Sequence, residues 1–199
     1  MPNHKLHLLK KRWKIIAIFG LLFAIITTGI TFLFPLQYRA DAQVFIISQS
    51  REGVDPYTTV KSAERIAENL AQILPTDDFY QKVISQDGFG INKDYFGGLT
   101  DRQRRKLWGK TINGSVVFGT GVFNVSAYHE DPGQARRIVA AAANVLVTQG
   151  WQYVGGNVII KVVNQPVSSP FPARPNILLN AVLGLLIGVL LAGFILVRK

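Results

Sequence analysis

The run at positions 177–197 constrains this chain most, because its 21 residues carry no charge and only one strongly polar side chain, Asn180. At about 1.5 Å of rise per residue, a helix of that length spans about 31 Å and crosses the hydrocarbon core of a bilayer. A long helix in a soluble core would show a polar face, and this run shows none. The sequence therefore predicts a transmembrane helix at 177–197.

A second charge-free run, residues 15–34, predicts another transmembrane helix at 15–35. The alternative is a cleaved signal peptide, since Ala40-Asp41-Ala42 fits the small-residue pattern of a cleavage site. The run is longer than the roughly 7–15 apolar residues of a signal peptide, and the candidate cleavage site lies beyond the polar Gln37 and Arg39. These features favour an uncleaved span.

Basic residues flank both runs on their outer sides, and seven of the 22 in the chain lie there. The positive-inside rule therefore predicts a multi-pass plasma membrane protein with both termini in the cytoplasm and the middle segment periplasmic or extracellular. The middle segment holds 15 basic and 12 acidic residues, so only +3 of the net charge of +10 belongs to it. The charge excess therefore reflects orientation and contact with membrane lipid, and it does not indicate nucleic-acid binding.

The predicted organisation has six parts. They are a cytoplasmic basic tail (1–14), a first transmembrane helix (15–35), an extracytoplasmic domain (36–165), a proline-rich juxtamembrane segment (166–176), a second transmembrane helix (177–197) and a cytoplasmic end (198–199). Prolines cannot continue a helix or donate to a sheet, so the segment containing Pro170, Pro172 and Pro175 is expected to be stiff and extended.

Small residues recur every four positions in both predicted spans, and Thr28 continues the stripe of the first span. The set is Asn180, Gly184, Gly188 and Ala192 in one, with Gly20 and Ala24 in the other. Small side chains let transmembrane helices approach closely, so these residues predict packing within one molecule or between neighbouring molecules. The alternative is that glycine and alanine are simply common in membrane spans.

The middle segment alternates strand and helix patterns. Helix starts are marked by Asp55-Pro56, Thr76, a capping box at Thr100 and Gln103, and Asp131-Pro132. The expected helices cover 56–74, 77–84, 101–110 and 132–151, and the expected strands cover 38–47, 115–118, 122–129 and 157–163, with 85–99 as a loop. This order predicts an α+β (mixed α/β) domain with a small mixed sheet and flanking helices.

The helix expected at 101–110 carries a row of basic residues. Arg102, Arg105 and Lys106 are candidate contacts for glycan or lipid head groups. The alternative is an ordinary solvated helix face, which is what runs of charge usually form.

The residues that support catalysis or metal binding are sparse. The chain has no cysteine, which excludes disulfides, thiolate nucleophiles and cysteine-ligated metals, and it has no phosphate-binding glycine motif. A membrane-bound hydrolase would have to use His129, but its neighbour Glu130 points to the other face of a strand and Asp131 is a predicted helix cap. The sequence predicts no catalytic, cofactor-binding or metal site.

Three segments resemble the chain-length-determinant (Wzz-like) family of polysaccharide co-polymerases, in a short form. They are the strand at 38–47, the run His129-Glu130-Asp131-Pro132 with Ala135 and Asn144 downstream, and Pro170-x-Pro172-x-x-Pro175 before a glycine-rich span. The resemblance implies an α/β domain at the outer membrane face and ring-like homo-oligomers. It also implies work with a polysaccharide polymerase or export machinery.

The resemblance suggests a non-enzymatic subunit that regulates the chain length or export of an O-antigen, capsule or exopolysaccharide. It departs from many relatives, since the domain of about 140 residues is small and no kinase or tyrosine-rich tail follows the second span. The alternative is a membrane adaptor or sensor that partners a separate bacterial tyrosine kinase through the basic N-terminal tail.

Overall fold

The computed structural model describes residues 12–48, 55–155 and 158–198. Its elements are α1 (Trp13–Thr31), β1 (Tyr38–Ser48), α2 (Pro56–Ile73), α3 (Asp77–Ile84), α4 (Asp101–Thr111), β2 (Ile112–Val116), β3 (Val122–His129), α5 (Pro132–Gln149), α6 (Trp151–Val154), β4 (Val158–Ser168) and α7 (Ile177–Arg198). They form two compact units. We call α1 with α7 the helix pair and Gln37–Ala173 the central domain.

Both helices of the helix pair are long and apolar enough to cross a membrane, by length and composition. Their large apolar side chains lie mostly on the outside, as at Ile25 (71% exposed), Leu178 (76%) and Leu190 (72%). A core helix of a soluble protein buries such side chains, whereas a bilayer accepts them. The helix pair therefore has the character of a membrane segment.

The first helix ends earlier than the sequence suggested. The expectation that Pro35 ends it is wrong, because α1 stops at Thr31. The backbone N–H of Phe32 donates to the carbonyl of Gly29 (3.2 Å), and that of Leu33 donates to Ile30 (3.1 Å). These tighter turns close the helix C-terminus before the proline is reached.

The central domain is built on a four-stranded sheet with the order β2-β3-β1-β4. All three pairings are antiparallel, with Tyr38 opposite His129 and Ile112 opposite Ala127. The α+β class and the small sheet with flanking helices are confirmed, while the expected mixed sheet is an antiparallel one. The strand expected at 38–47 is also confirmed, and Ala40 and Val44 are fully buried on one of its faces.

Helices α2 and α5 cover that face of the sheet. The inner residues of α5, which are Ile138, Val139, Ala142, Val145 and Leu146, are all at most 1% exposed. The predicted caps are also confirmed, with Asp55, Thr76 and Asp131 each accepting a backbone N–H from the first turn of its helix. The Thr100–Gln103 capping box is formed as expected. Local side-chain hydrogen bonds thus fix where these helices begin.

Two strand boundaries differ from the expectation. The first strand of the hairpin lies at Ile112–Val116, because buried Ile112 directly follows α4 while Phe118, 72% exposed, lies in the turn. The last strand continues to Ser168 and includes Pro166. A sheet tolerates that proline because β4 is an edge strand, where one N–H of each pair faces away from the ladder.

Three further expectations need adjustment. The helix expected to reach residue 151 is divided at Gly150 into α5 and α6, and it ends before Gly155, whose φ of 96° is outside the helical region. The expected loop at 85–99 contains two short 3₁₀ turns, Asp87–Phe89 and Lys93–Phe96. The basic tail, apart from residues 12–14, lies outside the described residues.

A buried carboxylate that the sequence did not reveal joins α2 to the hairpin. Glu64 is 5% exposed; it accepts the backbone N–H of Gly119 in the β2–β3 turn, and Lys61 Nζ lies 2.7 Å from its Oε2. The Gly119 hydrogen bond and then Lys61 lower the pKa of Glu64. This carboxylate therefore holds the turn of the hairpin against α2.

Candidate functional site

The small residues of α7 lie against α1 within one molecule. An added Cβ at Gly184 would stand 2.0 Å from Thr27 Oγ1, and one at Gly188 would stand 2.6 Å from the Phe19 carbonyl oxygen. Gly20 of α1 faces back in the same way, with Val189 Cγ2 at 2.9 Å from its added Cβ. No larger side chain fits at these three points while the helices keep their separation.

Two of the other predicted stripe residues are less buried. Ala192 is 3% exposed, whereas Asn180 and Ala24 are half-buried. The role of all six residues in assembly stays a prediction, and the geometry shows what the glycines do inside one chain. A contact that is already filled by α1 is not available to a neighbouring molecule.

Two threonines that the sequence analysis missed form hydrogen bonds across the helix pair. Thr27 Oγ1 lies 3.1 Å from the Asn180 main-chain carbonyl oxygen and shares its one proton between that oxygen and the Phe23 carbonyl of its own helix (2.9 Å). Asn180 Nδ2 donates to Thr31 Oγ1 (3.0 Å). Thr27 and Thr31 are four residues apart, so they lie on one helix face. The sequence placed Thr28 in the Gly20 stripe instead, and only the pairing of the helices shows that Thr27 and Thr31 face α7.

The basic residues Arg102, Arg105 and Lys106 lie on the exposed side of α4. The helix is anchored by Trp108, which is 1% exposed and whose indole Nε1–H donates to the Leu74 carbonyl oxygen (2.8 Å). In the parts of the chain that the structure describes, none of the three basic side chains forms an ion pair. The exposed side of α4 therefore presents uncompensated positive charge to solvent.

The neighbouring Arg104 belongs to the domain's own structure. Its guanidinium pairs with Asp101 (2.9 Å) and Asp77 (3.3 Å) and lies 5.4 Å from the ring centre of Tyr80. The hydrogen bond to Asp77 is the main reason that the pKa of Arg104 is raised. This side chain connects α4 to α3 and is not part of the exposed basic group.

The proline segment lies alongside the start of β1 and is hydrogen-bonded to it. The Ser169 N–H donates to the Arg39 carbonyl oxygen and the Ala173 N–H donates to the Gln37 carbonyl oxygen, both at 2.7 Å. Pro170 and Pro172 fall between these donors, where no N–H is needed. Pro175 follows a cis peptide bond and precedes α7. The segment is extended, as its composition suggests, and it is also held by hydrogen bonds.

His129 is a core residue in this geometry. It is 7% exposed, its ring lies 4.3 Å from that of Tyr95, and its Nδ1 accepts the Asp131 N–H (2.9 Å). Burial lowers its pKa despite the nearby Asp131 and Glu130 carboxylates. The Asp131 carboxylate caps α5 through Gly133, as predicted. Among the described residues no group of three His, Asp or Glu side chains is placed to hold a metal.

The comparison with protein families gives a match. Residues 6–86 fit the family model of the chain length determinant protein, Wzz, and this part includes α1, β1, α2 and α3 but less than half of the 199 residues. No curated protein matches the chain. The match confirms the resemblance that the sequence suggested and supports, in general terms, a role in determining the chain length of a polysaccharide.

Proposed function

We propose that this chain, which is Wzz-like over residues 6–86, is a non-enzymatic membrane subunit that regulates the chain length or export of a surface polysaccharide such as O-antigen, capsule or exopolysaccharide. The observation that carries the proposal is the family match across the first membrane-capable helix and residues 37–86 of the central domain. The second membrane-capable helix follows the domain, as a two-span layout requires.

In the proposed arrangement both termini are cytoplasmic and the central domain is periplasmic or extracellular. Support comes from the basic residues outside each span and from the three-charge excess of the middle segment, 15 basic against 12 acidic. The subunit acts by holding a polymerase or export machinery close to the growing glycan, which raises the local concentration without making bonds.

Assembly into ring-like homo-oligomers is the second part of the proposal. Because the glycines at 184 and 188 already contact α1, the surfaces that join subunits have to be others, including the exposed apolar sides of α1 and α7 and the sides of the central domain. Mass photometry of the full chain in nanodiscs tests this. A closed multimer of several subunits would support the ring-like assembly, and a monomer at all concentrations would contradict it.

The proposed activity is tested in the source organism by deleting the gene and separating its surface polysaccharides by size on a gel. We expect the deletion to change the length distribution or the amount exported, and the full chain supplied in trans to restore both. An unchanged pattern in the deletion strain would contradict the proposal. An adaptor acting on a kinase would instead change kinase phosphorylation before any change in length.

The exposed basic side of α4 is tested in the same strain. The triple variant Arg102→Ala, Arg105→Ala, Lys106→Ala removes three charges without touching Trp108 or Arg104. A matched control removes three exposed basic residues elsewhere in the domain, Arg65→Ala, Arg136→Ala and Lys161→Ala. If α4 contacts glycan or lipid head groups, the first variant shortens or broadens the length distribution and the control does not.

A further inference from the structure

The face of the sheet opposite α2 and α5 carries a row of polar side chains across three strands. Asn164 of β4 donates to Gln43 Oε1 of β1, and Gln43 Nε2 donates to Asn124 Oδ1 of β3 (2.8 Å). Gln43 and Asn124 are half-buried and Asn164 is exposed. The three amides are therefore held in fixed positions at a surface that solvent reaches.

A second fixed cluster continues the row toward the start of β1. Arg39 Nε donates to Asp41 Oδ1 (2.7 Å), Arg39 Nη2 donates to Ser126 Oγ (3.2 Å), and Ser126 Oγ donates to Asp41 Oδ1 (2.6 Å). The charges of Arg39 and Asp41 compensate each other at this distance. The row as a whole has no net charge.

The pairing of β1 with β4 is irregular at this point. The register shifts on both sides of the Gln43–Asn164 pair, between Asp41 and Gln43 and again between Gln43 and Val44. Such bulges bend a strand and redirect its side chains. At this place lies a groove of about 560 Å³, lined by the three amides, by Arg39 and Asp41, and by Gln165 and Val167. Its volume is within the size range of small-molecule sites, about 300–1,000 Å³.

The hydrogen-bonding capacity of the row is only partly used. An asparagine or glutamine amide offers two N–H donors and a carbonyl acceptor. Within the row, one N–H of Asn164 and one N–H of Gln43 are used as donors, and the Asn164 carbonyl and the Asn124 amide N–H groups take no part in these two hydrogen bonds. Donors and acceptors are thus interspersed along one surface.

This pattern selects for one class of ligand. A hydroxyl group donates and accepts at once, so a chain of hydroxyls matches interspersed amides, whereas an anion would meet the Asp41 carboxylate and a cation would meet the Arg39 guanidinium. Val167, 69% exposed, offers an apolar edge for the C–H face of a ring. We propose that the groove between Arg39 and Gln165 binds uncharged, hydroxyl-rich stretches of a glycan chain.

This inference rests on the proposed function, because it supplies the domain of a polysaccharide regulator with a contact for its polymer. The groove is a different surface from the basic side of α4, and the two surfaces differ in chemistry. The basic side would favour acidic sugars or lipid head groups, while the groove favours neutral ones.

The test uses the full chain in nanodiscs and saturation-transfer NMR with three uncharged oligosaccharides, maltoheptaose, cellohexaose and mannohexaose, and with trigalacturonic acid as the acidic probe. We expect at least one uncharged probe to bind saturably and more tightly than the acidic one. The variant Gln43→Ala with Asn124→Ala should weaken that binding roughly tenfold or more, since it removes two hydrogen-bonding amides.

The matched control is Asn113→Ala, an exposed asparagine of the edge strand β2 that is not part of the groove, and its affinity should stay within about twofold of the native chain. Asn164→Asp, which is nearly isosteric and replaces the donor to Gln43 with a second acceptor, should also lose binding if the row matters. Circular dichroism verifies that each variant is folded.

The inference is overturned if no uncharged probe binds, if the acidic probe binds better, or if the double variant and Asn113→Ala bind equally well. The length assay separates this from failure of the proposed function. If the gene deletion alters polysaccharide length but the groove variant does not, the groove proposal is rejected and the proposed function stands. A deletion without effect would reject the function, whatever the NMR shows.

Discussion

The helix pair and the central domain use side-chain size in opposite ways. The domain core is filled by large side chains, among them Trp108, Phe79 and Phe123, none more than 1% exposed. The helix pair meets at glycines and turns its large side chains outward. In water, burying large apolar groups drives folding, whereas lipid is as apolar as leucine and gives no such drive. Close approach and hydrogen bonds have to hold the helix pair instead.

The largest effect should follow from filling the glycine contact. The double variant Gly184→Leu with Gly188→Leu places side chains where Thr27 Oγ1 and the Phe19 carbonyl oxygen already are, so the helices must separate. Because the chain has no cysteine, spin labels at Ile25→Cys and Leu190→Cys report the distance between exposed sites on the two helices. We expect the distance in nanodiscs to lengthen and its distribution to broaden.

A control for the same helix pair is Gly29→Leu. An added Cβ at Gly29 meets nothing within 4 Å in the described structure, so the same substitution adds bulk without a clash. The distance should stay as in the native chain. If Gly184→Leu with Gly188→Leu also leaves it unchanged, close packing is not what holds the helix pair.

The complementary change in the domain removes a large side chain. Trp108→Ala deletes the ring that packs edge-on against Tyr80 and Phe96, each within 5.8 Å between ring centres, and the hydrogen bond to Leu74. Large-to-small substitutions of buried aromatics cost about 3–5 kcal/mol of unfolding free energy. Chemical denaturation of the full chain in detergent, followed by circular dichroism, should show this loss.

Trp151→Ala is the matched control, since Trp151 is 52% exposed and its indole Nε1–H donates to the Thr148 carbonyl oxygen within its own turn. Its cost should be small, within about 1 kcal/mol. Equal losses for the two tryptophans would mean that the aromatic cluster around Trp108 is not the core of the domain.

The sequence predicted those features of the domain that depend on neighbouring residues. Asp55, Thr76 and Asp131 cap helices through hydrogen bonds to residues two or three positions later, so their role can be recognised locally. The alternation of β1 is equally local, since one buried face of a strand repeats every two residues. The spans, the helix starts and the α+β class follow from such short-range patterns.

Contacts between distant residues could not be predicted in the same way. Glu64 bonds to Gly119 across 55 positions, and Asn164 bonds to Gln43 across 121. The polar groove depends on two register shifts in the β1–β4 pairing, which alternation within either strand does not specify. The choice of Thr27 and Thr31 over Thr28 likewise depends on how α1 is rotated toward α7.

A smaller effect is expected from the polar contact of the helix pair. Asn180→Leu keeps a similar size but removes the side-chain donor to Thr31, while the Asn180 backbone still accepts from Thr27. Hydrogen bonds between membrane helices contribute about 0.6–2 kcal/mol each. The label distance should stay near the native value, and the temperature at which the helix pair separates in detergent should fall.

Thr28→Val is the matched control, because Thr28 lies beside the contact without a hydrogen bond across it among the described residues. If Asn180→Leu and Thr28→Val lower the separation temperature by the same amount, the hydrogen bond to Thr31 contributes nothing. The helix pair would then depend on its glycines alone.

The smallest expected effect concerns the domain's own buried polar group, His129. Burial lowers its pKa, so the folded chain binds the proton less readily than the unfolded chain, whose His has a pKa of about 6.5. Above that pH both states are neutral and the effect is absent. Below about pH 6.5, His129 becomes protonated in the unfolded state but stays neutral in the folded state, so stability falls as the pH drops.

The melting temperature of the domain should therefore decrease by a few degrees between pH 7 and pH 5.5, and His129→Gln should flatten that slope. Glu64 and Asp78 do not account for a change in this window, because their pKa values are lowered and both stay ionised. A slope that His129→Gln leaves intact would place the titrating group elsewhere. Such a result would mean that burial of the His129 imidazole does not cause the pH dependence of stability. Asn180 of the helix pair, in contrast, is expected to contribute to stability through its hydrogen bond.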